Sequence, residues 1–92
     1  MADVILTLKI MPESPDVDLG AVESSARSEI AKFAGPSDMK AEKEPVAFGL
    51  NALKITFVMD ENKGSTEDLE KTISELEHVN SVEVVDVRRA LG

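Results

Sequence analysis

The chain has 92 residues, 18 acidic against 10 basic, a formal charge of -8 and no cysteine. So short a chain supports one core rather than two, the lack of cysteine excludes disulfides, thiolate metal sites and cysteine nucleophiles, and the negative charge opposes direct nucleic-acid binding. No apolar run approaches the roughly 18 residues of a membrane span and no basic region precedes an apolar one, so the expectation is a cytoplasmic protein without membrane contact.

From Asp3 to Met11 the residues alternate, with Val4, Leu6, Leu8 and Ile10 on one face and Ile5, Thr7, Lys9 and Met11 on the other. That is the two-residue period of a strand, and apolar residues on both faces predict a central one. Pro12 and Pro15 withhold backbone donors and turn the chain into a loop. Asp18 is a suitable N-cap, and Leu19, Val22, Ala26, Ile30 and Phe33 then recur every three or four residues, which predicts a helix over 19–33. Gly35-Pro36 ends it.

Met39 to Val46 alternates weakly and is rich in charge (Lys40, Glu42, Lys43, Glu44), as suits an edge strand. Leu50 to Met59 reads as the next strand, with Leu53, Ile55, Phe57 and Met59 inward and Lys54 and Thr56 outward. Between them lies Pro45-Val46-Ala47-Phe48-Gly49. The chain has three Phe and neither Tyr nor Trp, so a ring in this turn either closes the end of a small core or anchors an interface.

Asp60 to Gly64 is a polar turn whose acids fall at the wrong offsets for a calcium loop. Ser65 or Thr66 is expected to cap a second helix, with Glu67 and Asp68 complementing its dipole and Leu69, Ile73 and Leu76 as its buried stripe. His78 stands without a second metal-binding or catalytic partner and reads as a surface or capping residue at the helix end. Val79 to Val87 is rich in β-branched residues and predicts the last strand, leaving 88–92 as a tail that starts with Arg88-Arg89.

Strand, helix, strand, strand, helix, strand describes an α+β class, ferredoxin-like βαββαβ sandwich: a four-stranded antiparallel sheet in order 4-1-3-2 with both helices on one face. Residues 1–92 are expected to form a single domain. The sequence offers no glycine-rich phosphate loop, no Ser-His-Asp set and no zinc-spaced ligands. Neither catalytic residues of a bond-making enzyme nor a metal site nor a cofactor is therefore expected.

Met11-Pro12-Glu13-Ser14-Pro15-Asp16-Val17-Asp18-Leu19, Glu44-Pro45-Val46-Ala47-Phe48-Gly49-Leu50 with Ala52-Leu53, and Val82-Glu83-Val84 leading to Asp86-Val87-Arg88-Arg89 resemble the archaeal translation elongation factor 1-beta family. The resemblance spans nearly the whole chain and is to the exchange domain of eukaryotic relatives. It implies a guanine-nucleotide exchange factor that binds elongation factor 1-alpha, a GTPase, and ejects GDP. In the eukaryotic members an aromatic from the hairpin turn enters the GTPase and a lysine near the C-terminus reaches the magnesium site. Phe48 matches that turn position and Arg89 falls where the lysine would be. Arginine keeps the charge but is broad and planar where an ammonium is compact, so Arg89 could instead pair with an acidic side chain or phosphate, and Arg88 could share or take the part.

By the same resemblance Pro45, Ala47 and Gly49 would stiffen and present Phe48, and Ala90 and Leu91 would add apolar contact. The ring and the terminal cation are expected to act on one target, from a protein monomeric when free. The competing expectation is a ferredoxin-like regulatory module that binds a small molecule. Acyl-phosphate hydrolysis on this fold would need an anion cradle near the N-terminus that the sequence lacks.

Overall fold

A computed structural model describes residues 3–35, 39–63 and 66–89. In chain order it contains β1 (Asp3–Pro12), α1 (Leu19–Ala34), β2 (Met39–Pro45), β3 (Asn51–Asp60), α2 (Glu67–Ser74) and β4 (Val79–Arg89), with single 3-10 turns at Ala47–Gly49 and Glu61–Lys63. The sheet order is β2-β3-β1-β4 and every pairing is antiparallel, which is the expected ferredoxin-like topology.

The alternation in β1 sets which side is buried. Leu6, Leu8 and Ile10 face the helices together with Leu53, Ile55, Phe57 and Met59 of β3, and all are buried. α1 contributes Leu19, Val22, Ala26 and Ile30, and α2 contributes Leu69 and Ile73, to the same core cluster. Burying seven large side chains completely, from Phe57 to Ile73, supplies roughly 1.5–3 kcal/mol apiece before conformational entropy is set against it. Phe33, expected in the α1 stripe, is only partly buried and packs on the rim of this cluster.

Local chemistry fixes the helix ends. Asp18 Oδ1 accepts from the Gly20 N–H at 3.0 Å, and a Cβ at Gly20 would lie 3.2 Å from that same oxygen. The glycine therefore makes room for the capping carboxylate, which explains a residue that otherwise weakens a first turn. At the other end Gly35 takes φ 87° and its N–H donates to the Ala31 carbonyl. Pro36, the rest of the expected stop, and Ser65, one of two expected caps, lie outside the described residues. Thr66 stands at the N-cap of α2 but its side chain does not cap; its hydroxyl donates to Glu70 Oε2 at 2.9 Å instead. α2 is also shorter than the apolar stripe implies. Leu76 follows its end, still packed on the core, with its N–H on the Ile73 carbonyl.

The side of the sheet away from the helices carries Ile5, Thr7, Lys9, Lys54 and Thr56, all part-exposed, as expected. The Thr7 and Thr56 hydroxyls are hydrogen-bonded at 3.0 Å across the two central strands. Outside them, Lys40 lies opposite Thr56 and Asp86 opposite Thr7.

Two features differ from the sequence expectation and bear on the site. β4 does not stop at Val87, because Arg88 and Arg89 pair with Ile5 and Val4 of β1. The pairing also slips inside β4: Asp86 lies opposite Thr7 while Val84 lies opposite Leu8, leaving Val85 as the extra residue of a β-bulge. Beyond the bulge the alternation is reversed relative to the sequence count. Val87 and Arg89 join Val82 and Val84 on the helix side, and Asp86 and Arg88 take the open side.

Candidate functional site

Pro45 lies opposite Asn51 at the last rung of the β2–β3 hairpin, where an edge position tolerates its missing donor. The Val46 N–H then donates to the Leu50 carbonyl at 2.8 Å, and the Leu50 N–H to the Ala47 carbonyl at 3.3 Å. Closing the chain this tightly requires two successive left-handed residues, Phe48 at φ 62° and Gly49 at φ 74°. Glycine accepts this freely, whereas a residue with a Cβ is disfavoured there by roughly 1–2 kcal/mol. Phe48 carries that strain with its ring 93% exposed. The ring does not close the core. The turn thus holds an aromatic ring in water on a backbone conformation that costs free energy to keep.

Beneath the turn, Glu44 Oε2 and Lys54 Nζ are 2.9 Å apart. The hydrogen bond from Lys54, reinforced by its charge, holds the Glu44 carboxyl below the usual range, and the same bond raises the Lys54 ammonium above its own. The pair ties β2 to β3 diagonally below Pro45, since Glu44 lies opposite Ala52 and Lys54 opposite Glu42. On the other, helix-facing side of the sheet, the loop after β1 and the hairpin base line a cleft of ≈ 240 Å³ with Pro12, Ser14, Asp18, Lys43 and Asn51 among others. The sequence reading missed both features, because each depends on which rung of β2 faces which rung of β3. Among the described residues no buried side-chain nitrogen or oxygen lacks a partner, so the cleft offers a ligand only exposed groups.

The two arginines lie at the other end of the sheet and diverge. Arg88, on the open side, pairs through Nε with Asp86 Oδ2 at 2.9 Å. Arg89, on the helix side, reaches from β4 past the start of β1 to the turn after β3, where its Nη2 donates to Glu61 Oε2 at 2.8 Å. Sequence reasoning gave Glu61 no part, and nothing in the local pattern marks a partner 28 positions away. Ala90 and Leu91 lie outside the described residues.

Pro45, Ala47, Phe48 and Gly49 thus form one group and Arg88 and Arg89 another, and the fold keeps them apart. Arg89 is level with Val4 and the hairpin base is level with the far end of β1, since Ile10 pairs with Leu53. At about 3.3 Å per residue, the span from Val4 to Pro12 alone is about 26 Å, in a molecule whose longest extent is 42 Å. Among the described residues no helix is long and apolar enough to cross a membrane, and no group of three or more His, Cys, Asp or Glu is arranged to hold a metal ion.

Residues 5–90 match the EF-1 guanine nucleotide exchange domain. The chain is 45% identical over 91 residues to elongation factor 1-beta of Methanobrevibacter smithii, covering 99% of this chain and 100% of that one. It is 44% identical, with the same coverage, to elongation factor 1-beta of Methanothermobacter thermautotrophicus. Among solved structures it is similar to the C-terminal domain of a cyclometallase involved in the synthesis of the NPN cofactor of lactate racemase, in its apo form, with a TM-score of 0.63 over 99% of this chain and 58% of that chain. At 15% identity that likeness speaks to the fold alone. The archaeal relatives favour nucleotide exchange over a small-molecule regulatory module. With its family model matched over residues 5–90 and full-length relatives at 44–45% identity, the chain belongs to the EF-1 guanine nucleotide exchange domain family, and its function is guanine-nucleotide exchange.

Proposed function

We propose that this protein acts on elongation factor 1-alpha, contacting it with Phe48 at one end of the sheet and with Arg89 at the other, and so accelerates release of GDP. It does so as a single domain of residues 1–92, monomeric when free and cytoplasmic, with no bond-making chemistry of its own. The observation that carries the reading is Phe48: an almost fully exposed ring on a strained two-residue left-handed turn, in a chain of the exchange family.

A GTPase holds its nucleotide through a phosphate-binding loop and a magnesium ion. An exchange factor must bind the nucleotide-free state better than the loaded one, and reciprocity makes nucleotide weaken the factor's binding by the same ratio. The two ends divide this work. The Phe48 ring supplies apolar burial that does not depend on the nucleotide and fixes the complex in register. Arg89 brings a cation to the neighbourhood of the metal and phosphates, where positive charge competes with magnesium. Pro45, Ala47 and Gly49 keep the ring presented, Arg88 adds charge beside Arg89, and Ala90 and Leu91 extend the same end.

The test is release of a fluorescent GDP from elongation factor 1-alpha of a close archaeal relative, with this protein in catalytic amount. Multiple turnovers of accelerated release are expected, suppressed by excess magnesium and GDP. Release at the spontaneous rate would reject the reading.

A further inference from the structure

We infer that Glu61 is a positioning residue for nucleotide exchange: its carboxylate, fixed at the end of β3, holds the Arg89 guanidinium in place for the partner. The inference rests on the reading of Arg89 given above.

The two arginines differ in what holds them. Among the described residues Arg88 is paired only with Asp86, two residues back on its own strand, and such a pair moves with the strand and fixes no direction relative to the rest of the molecule. Arg89 is tied to a different element. Glu61 opens the 3-10 turn Glu61–Lys63 directly after β3, and that turn is itself pinned because Asp60 Oδ1 accepts from the Asn62 N–H at 2.9 Å. β3 is a central strand, paired on both edges, so the carboxylate sits on a rigid support. β4 is an outer strand, and Arg89 is near its end, where an unsupported side chain with about 2 kcal/mol of rotamer entropy would sample many directions.

The pair leaves the guanidinium usable. Arg89 remains 68% exposed in its side chain, and the contact to Glu61 engages one Nη2 hydrogen of the five that a guanidinium offers. The remaining donors can face a carboxylate or phosphate of the partner while Glu61 keeps its hold. The bulge at Val85 is what makes this geometry available: it places Arg89, not Arg88, on the side from which Glu61 is reached. By this argument Arg89 is the arginine that enters the partner's site, and Arg88 is its neighbour on the opposite side.

Pre-ordering one long side chain changes the observed association by an amount typical of an immobilised side chain. The expected effect is a decrease of about 2- to 5-fold in the second-order rate of factor-stimulated GDP release when Glu61 is replaced by Ala. Glu61→Gln, which can still accept one hydrogen bond, should fall between wild type and Glu61→Ala, with the thermal midpoints of all three agreeing within a few degrees. A destabilising loss would not separate in this way.

The decisive experiment is a cycle of wild type, Glu61→Ala, Arg89→Ala and the double variant. The double variant should release GDP no more slowly than Arg89→Ala alone, because Glu61 acts only through that side chain. A faster Glu61→Ala, which would make the pair a lock, overturns the inference, as does an unchanged rate or an equal loss in the Arg89→Ala background. Arg89→Ala at the wild-type rate overturns it together with the assignment of Arg89, whereas wild-type protein failing to stimulate release removes the partner itself. The three failures are therefore distinguishable.

Discussion

The hairpin tip and the arginine end are built on opposite principles. At the tip the backbone is committed: Phe48 and Gly49 are both left-handed, the turn is closed by two main-chain hydrogen bonds, and an apolar ring faces water. At the other end the backbone is ordinary strand, and the specificity lies in side chains, with each arginine held by one carboxylate at 2.8–2.9 Å. The first end is set by local geometry and carries no ion pair in the turn itself. The second is set by side-chain electrostatics, within β4 for Arg88 and between elements distant in sequence for Arg89, and surface pairs of that kind contribute only about 0.2–1 kcal/mol each. On the function proposed, a single partner met by both ends would be gripped by burial at one and tuned by charge at the other.

The largest effect should come from removing the ring. Phe48→Ala is expected to slow stimulated GDP release by at least about 30-fold, the loss typical of an interface anchor, with no loss of thermal stability because the ring touches no core. Exchange retained within a factor of two would show the tip to be a passive turn. The companion Phe48→Gly should lose exchange equally while gaining about 1 kcal/mol in chemical denaturation, since a left-handed residue no longer carries a Cβ.

Next in size is the charged end. Arg89→Ala should slow release by about 10-fold, and the gap between wild type and this variant should close as salt is raised from about 0.1 M to about 1 M and the screening length falls from about 10 to about 3 Å. The Phe48→Ala deficit should persist over the same range. If both deficits respond to salt alike, the contrast between the ends is wrong.

A smaller effect isolates the backbone. Gly49→Ala is expected to cost about 1–2 kcal/mol of stability in urea denaturation, and because a Cβ there meets nothing within 4 Å, the whole of it is conformational. A neutral substitution would mean that the turn is not held in the left-handed form.

The smallest effect is a pH dependence of the brace beneath the turn. The carboxyl of Glu44 titrates lower in the folded protein than in the unfolded chain, because it accepts the Lys54 hydrogen bond. Its contribution is therefore present above the ordinary glutamate range and lost as pH falls through the lowered folded value. Lys54, raised by the same bond, contributes below the ordinary lysine range and loses that contribution as pH rises through the raised folded value. Glu44→Gln should flatten both limbs of a plot of denaturation midpoint against pH. Limbs identical to wild type would show that solvent screens the pair completely.

Much of this molecule can be read from residue order because its signals are local. The alternation of Val4 through Ile10, the stripe from Leu19 to Ile30 and the Asp18 cap each fall within one element, and the elements appear where they are expected. The unusual turn around Phe48 was also legible, since a ring between Ala47 and Gly49 after a proline stands out in a chain of three aromatics, but whether that ring was buried or exposed was not. What could not be read depends on register. The Glu44–Lys54 brace, the cleft at the hairpin base and the Arg89–Glu61 pair each join residues whose neighbourhood exists only once strands are aligned. The expected end of the last strand at Val87 erred for a related reason: Arg88 and Arg89 have no strong strand preference of their own and extend β4 because β1 offers them partners.

The sequence by itself determined the order of elements and the buried faces of β1, α1, β3 and α2, because hydrophobic periodicity and glycine and proline placement act over a few neighbours; whether the Phe48 ring closed the core or faced water was left to the fold. Only the tertiary structure decided which arginine serves which side. Counting alternate residues along β4 puts Arg89 on the face of Glu83, and the bulge at Val85 reverses it. A one-residue slip is invisible to composition and pattern, since it is fixed by how Leu8 and Thr7 of the neighbouring strand seat against Val84 and Asp86.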